Sequence, residues 1–214
     1  MTSGNPTAPT SPHENHECAG NDGAAPAALF ANAVVQTLRD LAGVVAELAP
    51  HQYTASIASM SGGTVGGHVR HCLDHIRALL DTAPGGIVDY DQRVRGTRIE
   101  SDPQAARDEI RRLRHVAEAA ADRPAASPLI VRVLLTPDRP AVEAPSTLGR
   151  ELAFVLSHTV HHNAMIRSMA LSLGVSLPSV FGVAPSTLAH RRDQAARPDD
   201  SNQPRVGVDC PCAH

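Results

Sequence analysis

Four stretches of this 214-residue chain carry apolar residues at alternating spacings of three and four, and this pattern restricts the fold more than any other feature. Such spacing places one apolar stripe along an α-helix, and the stripe must be covered by other elements. Proline or glycine ends each stretch, at Pro50, Pro84, Pro124 and Gly174. Because the connections are short or of modest length, we expect an all-α fold, a four-helix up-down bundle.

One segment departs from the helical pattern. Residues 128–145, PLIVRVLLTPDRPAVEAP, begin with a β-branched run, continue through a turn at residues 136–139 and end in a short return. This order of signals is typical of two antiparallel strands joined by a loop. We therefore expect a small β-hairpin before the last long helix.

Composition divides the chain into three parts. A hydrophobic content of 42% in 214 residues favours one domain with one core. Residues 1–23 are rich in Ser, Thr, Pro and Gly, and such a segment cannot bury enough apolar surface to offset its ordering entropy. We predict a disordered N-terminal tail at 1–23, a helical domain at 24–190 and a flexible C-terminal tail at 191–214.

Charge and hydropathy argue against two classes of partner. The net charge is −3 and no basic run occurs, so the electrostatic basis for binding nucleic acid is missing. The N-terminus has neither a basic region nor an apolar region of signal-peptide type, and no apolar run approaches the roughly 20 residues that span a bilayer. We predict a cytoplasmic protein without nucleic-acid or membrane partners.

The fourth helical stretch contains three histidines within five positions, in LSHTVHHNAMI at residues 156–166. At about 100° per residue, His158 and His162 share one flank, whereas His161 points nearly the opposite way and is expected to meet water. Side chains four residues apart lie about 5–6 Å from each other, so the two imidazoles of the shared flank are able to bind one cation. Two ligands are too few for a tight site, and a facing helix must supply a third.

The second helical stretch offers three candidates for that third ligand in HVRHCLDH, residues 68–75. The apolar arc of this helix passes closer to His68 and His75 than to His71, so periodicity alone does not select His71. A ligating imidazole usually has its second ring nitrogen held by a carboxylate or carbonyl, and Asp74 or Glu151 is a candidate for this role.

The order of a histidine on the second helix, a long polar insertion and H-x-x-x-H on the fourth helix resembles the DinB-like (DinB/YfiT-type) family of metalloenzymes. The resemblance covers roughly residues 25–190 and implies a three-histidine site for a divalent metal at one end of the bundle. Matching TVGGHVRH to the family's second-helix motif implies His71 as the third ligand, and SHTVHH implies His158 and His162. No catalytic side chain is identified.

Two functions follow from the histidine set, and the resemblance suggests the substrate of the first. The first is a metal-dependent enzyme with bound Zn²⁺, Ni²⁺ or Fe²⁺, acting in thiol transfer or in hydrolysis of a small molecule. Its expected partner is a small-molecule substrate such as a low-molecular-weight thiol, and a homodimer is one option. The alternative is a non-catalytic, stress-related helical bundle protein that binds metal or a small ligand.

Residues 88–103, VDYDQRVRGTRIESDP, mix charges of both signs and fit a loop better than a core element. This loop either lies over the mouth of the metal site, where Arg93 or Arg95 meets an anionic group, or is simply solvated. The sequence does not choose between the two.

Overall fold

The computed structural model describes residues 27–196. The predicted disordered tail at 1–23 and most of the predicted tail at 191–214 lie outside the described residues, although the last helix continues past residue 190. The elements follow in the order α1 (Ala28–Glu47), α2 (Pro50–Thr54), α3 (Val65–Leu80), β1 (Ile87–Asp89), α4 (Arg98–Ser101), α5 (Pro103–Ala119), β2 (Pro128–Val133), β3 (Val142–Thr147), α6 (Leu148–Ser172) and α7 (Pro185–Ala196).

The four long helices enclose one aliphatic core. α1 packs against α5 and α6, and α3 packs against the same two helices. Burial of the apolar stripes stabilises this arrangement by roughly 25 cal/mol for each Å² removed from water. The largest side chains with essentially no exposed surface are Tyr53, Leu38, Leu41, Leu73, Ile76, Leu79, Ile110, Leu113, Leu129, Leu148, Leu152 and Ile166.

Side chains cap the helices that build the site. The Thr64 hydroxyl accepts a hydrogen bond from Gly67 N at the start of α3, and Asp102 caps α5. At the start of α6 the cap is Thr147, which accepts from Arg150 N. The neighbouring Ser146 donates its hydroxyl hydrogen to a buried carboxylate of α6.

A three-stranded sheet with the order β1-β2-β3 corrects the expected fold class. β2 and β3 are antiparallel, with Pro128 opposite Thr147, and form in the segment predicted as a hairpin. β1 runs parallel to β2, with Ile87 opposite Ile130. The all-α class and the plain four-helix up-down bundle of DinB/YfiT type are therefore wrong, and the described chain combines helices with a mixed sheet. β1 has only three residues, too few for a two-residue alternation to be visible in the sequence.

α4 is held tightly against α3. Tyr53 is buried and donates its hydroxyl hydrogen to Ile99 O at 2.7 Å. Gly66 lies directly beneath the Glu100 carbonyl and the Tyr53 ring, and a Cβ atom at residue 66 would overlap both. The loop between β1 and α4 therefore has two fixed ends, one in the sheet and one on α3.

α1 is long and apolar enough, by length and composition alone, to cross a membrane. This is weak evidence, because the core helix of a globular domain passes the same test. In the structure the apolar stripe of α1 is buried inside the protein, through Ala31, Val34, Val35, Leu38, Leu41, Val44 and Val45.

A histidine cluster as candidate metal site

Five histidines meet where α3 and α6 pack against each other. His68, His71 and His75 follow one another at spacings of three and four residues, so they form a strip along α3 that faces His158 and His162 of α6. The ring centre of His71 lies 4.4 Å from that of His75, 4.5 Å from that of His162 and 4.9 Å from that of His158. His71 is thus the centre of the cluster.

Ring nitrogens approach one another at two places. The Nε2 atoms of His71 and His158 are 3.0 Å apart, and the Nδ1 atoms of His68 and His162 are 2.9 Å apart. Two imidazole nitrogens bound tetrahedrally to one Zn²⁺ at 2.0–2.1 Å are roughly 3.3 Å apart. A separation of 3.0 Å is close to that value, so His71 and His158 need to move little to share one ion.

The structure brings the predicted residues together and adds one. His71, His75 and His158 each offer a ligand atom within 4.8 Å of the other two. His162 belongs to the same cluster, with its ring 4.6 Å from that of His158, but its Nδ1 is paired with His68. The set predicted from the sequence contained His162 in place of His75, and it stays a prediction.

His75 is already oriented as a ligand. Its Nδ1 lies 3.0 Å from the carbonyl oxygen of His71. A carbonyl only accepts, so Nδ1 carries the hydrogen and Nε2 keeps a free lone pair. Histidines that bind metal are commonly fixed in this way by a hydrogen bond at the other ring nitrogen.

Neither carboxylate expected to hold an imidazole makes a hydrogen bond to one among the described residues. Asp74 pairs with Arg70 and Arg77 on the other side of α3. Glu151 is fully buried and accepts hydrogen bonds from the Ser146 hydroxyl, Arg150 and the Tyr90 hydroxyl.

Tyr90 links Glu151 to the cluster indirectly. Its ring stacks on the His75 ring at 5.3 Å with an interplanar angle of 11°, while its hydroxyl donates to Glu151 at 2.7 Å. Burial and the hydrogen bond to Glu151 raise the pKa of Tyr90 far above its ordinary range, so the hydroxyl stays protonated. Glu151 therefore positions the wall of the site through Tyr90.

The imidazoles are neutral at pH 7. Burial, followed by the influence of the neighbouring histidines, lowers the pKa of His71 to about 3 and the pKa values of His158 and His162 to about 4. Burial also lowers the pKa values of His68 and His75. A neutral imidazole offers the lone pair that a cation needs, and a protonated one does not. His161 is exposed, as its position on the helix predicted, although its ring centre lies 5.4 Å from that of His162.

The loop between β1 and α4 reaches the cluster through Arg93. Its Nη1 donates a hydrogen bond to His71 Nδ1 at 2.8 Å, whereas Arg95 is exposed. Of the two alternatives for this loop, the structure shows the one in which it lies over the histidines. Sequence reasoning found Arg93 but expected it to contact an anion and not a histidine. No sequence signal connects residue 93 to residue 71, because the contact depends on the path of the loop.

Comparison with known proteins corrects the family. No protein-family model matches this chain, and no solved structure matches it. A curated protein of Rhizopus delemar named FK506-binding protein 5 is 34% identical over 109 residues, which are 50% of this chain and 28% of that protein. The match thus spans less than a third of the relative's length.

This comparison points to a relative of FK506-binding type, so the resemblance to the DinB-like family is wrong. The function expected from that resemblance, a DinB-like metalloenzyme, is wrong with it, and the stress-related alternative is not better supported. The motif H-x-x-x-H explains the error, because two histidines four residues apart face one flank in any helix and do not identify a family.

Proposed function

We propose that the protein binds one divalent transition-metal ion at the histidine cluster. The observation that carries this proposal is the set of three ligand atoms from His71, His75 and His158 within 4.8 Å of one another. Their low pKa values support it, because the imidazoles need no deprotonation at neutral pH. Imidazole donors suit Zn²⁺, Ni²⁺ and Fe²⁺ better than Mg²⁺ or Ca²⁺, which prefer oxygen.

His71 and His158 are common to the set predicted from the sequence and the set grouped in the structure. The third ligand is His75, whose Nε2 is already free, or His162, whose ring adjoins both. Three imidazoles leave at least one coordination position of a tetrahedral ion for a further ligand. The site is therefore of the open type.

A small molecule is the proposed partner for that open position, and a low-molecular-weight thiol is one chemical option. A cavity of about 350 Å³ between the sheet and α6 supports this part of the proposal. Two of its lining residues, Tyr90 and Phe154, also pack against His75. We also carry forward the homodimer and the cytoplasmic location as proposals.

A titration of the metal-free full-length protein with Zn²⁺, against a chromogenic chelator, tests metal binding. We expect one tight site per chain, lost in His158→Ala and kept in His161→Ala. His161 is the matched control, because it is exposed and adjacent to the cluster. The cysteines and histidines near both chain ends are the same in all these variants, so their contribution cancels. Equal Zn²⁺ binding by His158→Ala and the wild type would disprove the site.

Binding of FK506 is a second candidate function, supported by the match to FK506-binding protein 5. It is independent of the histidine cluster, so we expect His158→Ala to bind FK506 as the wild type does. Calorimetric titration with FK506 tests it. Absence of binding at micromolar concentrations would remove this candidate and leave the metal proposal untouched.

A further inference from the structure

We propose that a metal ion and Arg93 are alternative partners of His71, and that metal binding frees the Arg93 guanidinium to hold a small carboxylate ligand beside the ion. This inference rests on the metal site proposed above. It assigns a chemical class, a carboxylate, to the ligand of that site and gives Arg93 the role of binding it.

The first step is to assign the ring hydrogen of His71 to one of its two nitrogens. Arg93 Nη1 can only donate, so at 2.8 Å His71 Nδ1 must accept and the ring hydrogen resides on Nε2. That Nε2 lies 3.0 Å from His158 Nε2, to which it donates. With Arg93 in place, both nitrogens of His71 are therefore engaged and neither offers a lone pair to a cation.

The second step is that either mode of metal binding breaks the contact with Arg93. If the ion binds Nε2, the ring hydrogen moves to Nδ1, which then cannot accept from Arg93. If the ion binds Nδ1, it takes the lone pair that Arg93 uses. The ion and the guanidinium therefore exclude each other at His71 whichever nitrogen ligates.

The third step is that Arg93 has no ion-paired counter-ion within residues 27–196. Within residues 27–196, Arg93 forms no ion pair, and its Nε is buried with no hydrogen-bond partner. Its contact in the cluster is the His71 imidazole, which accepts through Nδ1 and supplies no negative charge. A partly buried charge without a counter-ion is less well stabilised than a paired one, and a divalent ion next to it increases the repulsion. An anion that contacts both cations removes this repulsion.

The fourth step is the shape of that anion. A guanidinium presents parallel N–H groups that match the two oxygens of a carboxylate. Once released from His71, Arg93 has both Nη1 and the unpartnered Nε available for such a contact. Because Arg93 Nη1 lies 2.8 Å from His71 Nδ1, an ion held by these histidines would lie close to the guanidinium, and one carboxylate would be able to contact both.

The experiment measures Zn²⁺ affinity of the full-length wild type, Arg93→Met and Arg95→Met, each with and without acetate at constant pH and ionic strength. Arg95 is the matched control, an exposed arginine of the same loop. Without acetate, we expect Arg93→Met to bind Zn²⁺ about tenfold more tightly than the wild type, because a competing hydrogen bond from a charged group is gone. Acetate should tighten Zn²⁺ binding in the wild type and Arg95→Met, but not in Arg93→Met.

Equal Zn²⁺ affinity of Arg93→Met and the wild type would overturn the competition, while the proposed metal site stands. Tighter binding by Arg93→Met without an acetate effect in the wild type would overturn the carboxylate part. Absence of Zn²⁺ binding in all three proteins would instead overturn the proposed function.

A measurement on the metal-free protein tests the contact between Arg93 and His71 directly. In ¹⁵N NMR spectra of the metal-free wild type, we expect the His71 ring to carry its hydrogen on Nε2. Arg93→Met should shift this balance toward Nδ1, and Arg95→Met should not. A His71 ring with its hydrogen on Nδ1 in the wild type would contradict the contact itself.

Discussion

The two flanks of α3 differ in how their polar groups are satisfied. On one flank, Asp74 is contacted by Arg70 at 2.6 Å and by Arg77 at 3.0 Å, and the same arginines reach Glu100 and Glu109 on α4 and α5. Arginine and carboxylate side chains therefore alternate along this flank, and each is paired with the next.

On the other flank, the polar partners that His68, His71 and His75 have within residues 27–196 are other histidines, a carbonyl oxygen and Arg93. Ion-paired side chains stabilise the fold, whereas histidine nitrogens whose lone pairs are not used in hydrogen bonds are available to a ligand. The comparison therefore separates a structural flank from a binding flank on one helix, and it predicts that substitutions on the two flanks affect different quantities.

Asp74→Ala tests the structural flank and should have the largest effect. Asp74 is 8% exposed, and its removal leaves two arginines without their shared partner. We expect a loss of about 3 kcal/mol in the free energy of unfolding, the lower end for a broken buried ion pair, since Arg77 is partly exposed. Urea denaturation measures it. The control is Asp108→Ala, whose exposed pair with Arg111 is worth at most about 1 kcal/mol.

His71→Ala and His158→Ala test the binding flank. Each should weaken Zn²⁺ binding by more than about 100-fold, since loss of a direct ligand exceeds the 10- to 100-fold cost of losing a supporting group. The free energy of unfolding of the metal-free protein should fall less than in Asp74→Ala. If either variant loses as much stability as Asp74→Ala and keeps its Zn²⁺ affinity, that histidine has a structural role and is not a metal ligand.

His75→Ala and His162→Ala decide between the two ligand sets. We expect the larger loss of Zn²⁺ affinity in His75→Ala, because its Nε2 is free and oriented while His162 Nδ1 is paired with His68. The His162→Ala variant should lose about tenfold, as for a supporting residue. The reverse order would favour the set of His71, His158 and His162 predicted from the sequence.

Lowering the pH should decrease the free energy of unfolding of the metal-free protein, because the histidines of the binding flank are buried in the neutral form. The ordinary histidine pKa is 6.5, whereas burial lowers the pKa values of His158 and His162 to about 4. Between these values the unfolded chain binds protons that the folded chain does not, so the free energy of unfolding falls as pH falls from 6.5 toward 4. Urea midpoints between pH 7 and pH 5 measure it. The decrease should be smaller in His158→Gln, and a stability that rises toward pH 5 would contradict the neutral, buried state of the cluster.

His161→Ala should have the smallest effect. The residue is exposed and belongs to neither ligand set, so we expect Zn²⁺ affinity to change by less than about twofold and the free energy of unfolding by less than about 0.5 kcal/mol. A loss of Zn²⁺ comparable to that in His158→Ala would mean that α6 presents a different face to α3 than the structure shows.

Local patterns predicted what depends on one element alone. Prolines and glycines marked the ends of the long helices, and helical periodicity separated His161 from His158 and His162. It also placed His68 and His75 closer to the core than His71, and the structure includes all three because α3 is covered by neighbours on more than one side.

What depends on the path of the chain was not predictable. β1 pairs with a strand about 40 residues further on, and Arg93 reaches His71 through a loop, so neither contact has a local signal. The DinB-like resemblance rested on short histidine motifs, and it was wrong. Spacing within a helix shows which side chains are neighbours, but it does not identify the protein to which the helix belongs.

Gly66 affects both flanks of α3 because its side chain is a single hydrogen atom. In place of a methyl group, that hydrogen lets the Glu100 carbonyl rest on α3, and the carboxylate of the same residue binds Arg70 at 2.6 Å and Gly96 N at 2.9 Å. Gly66→Ala would push Glu100 outward, and both contacts would have to follow. Because Gly96 is three residues from Arg93 in the same loop, we expect Gly66→Ala also to move Arg93 relative to His71, although the substitution adds no polar atom.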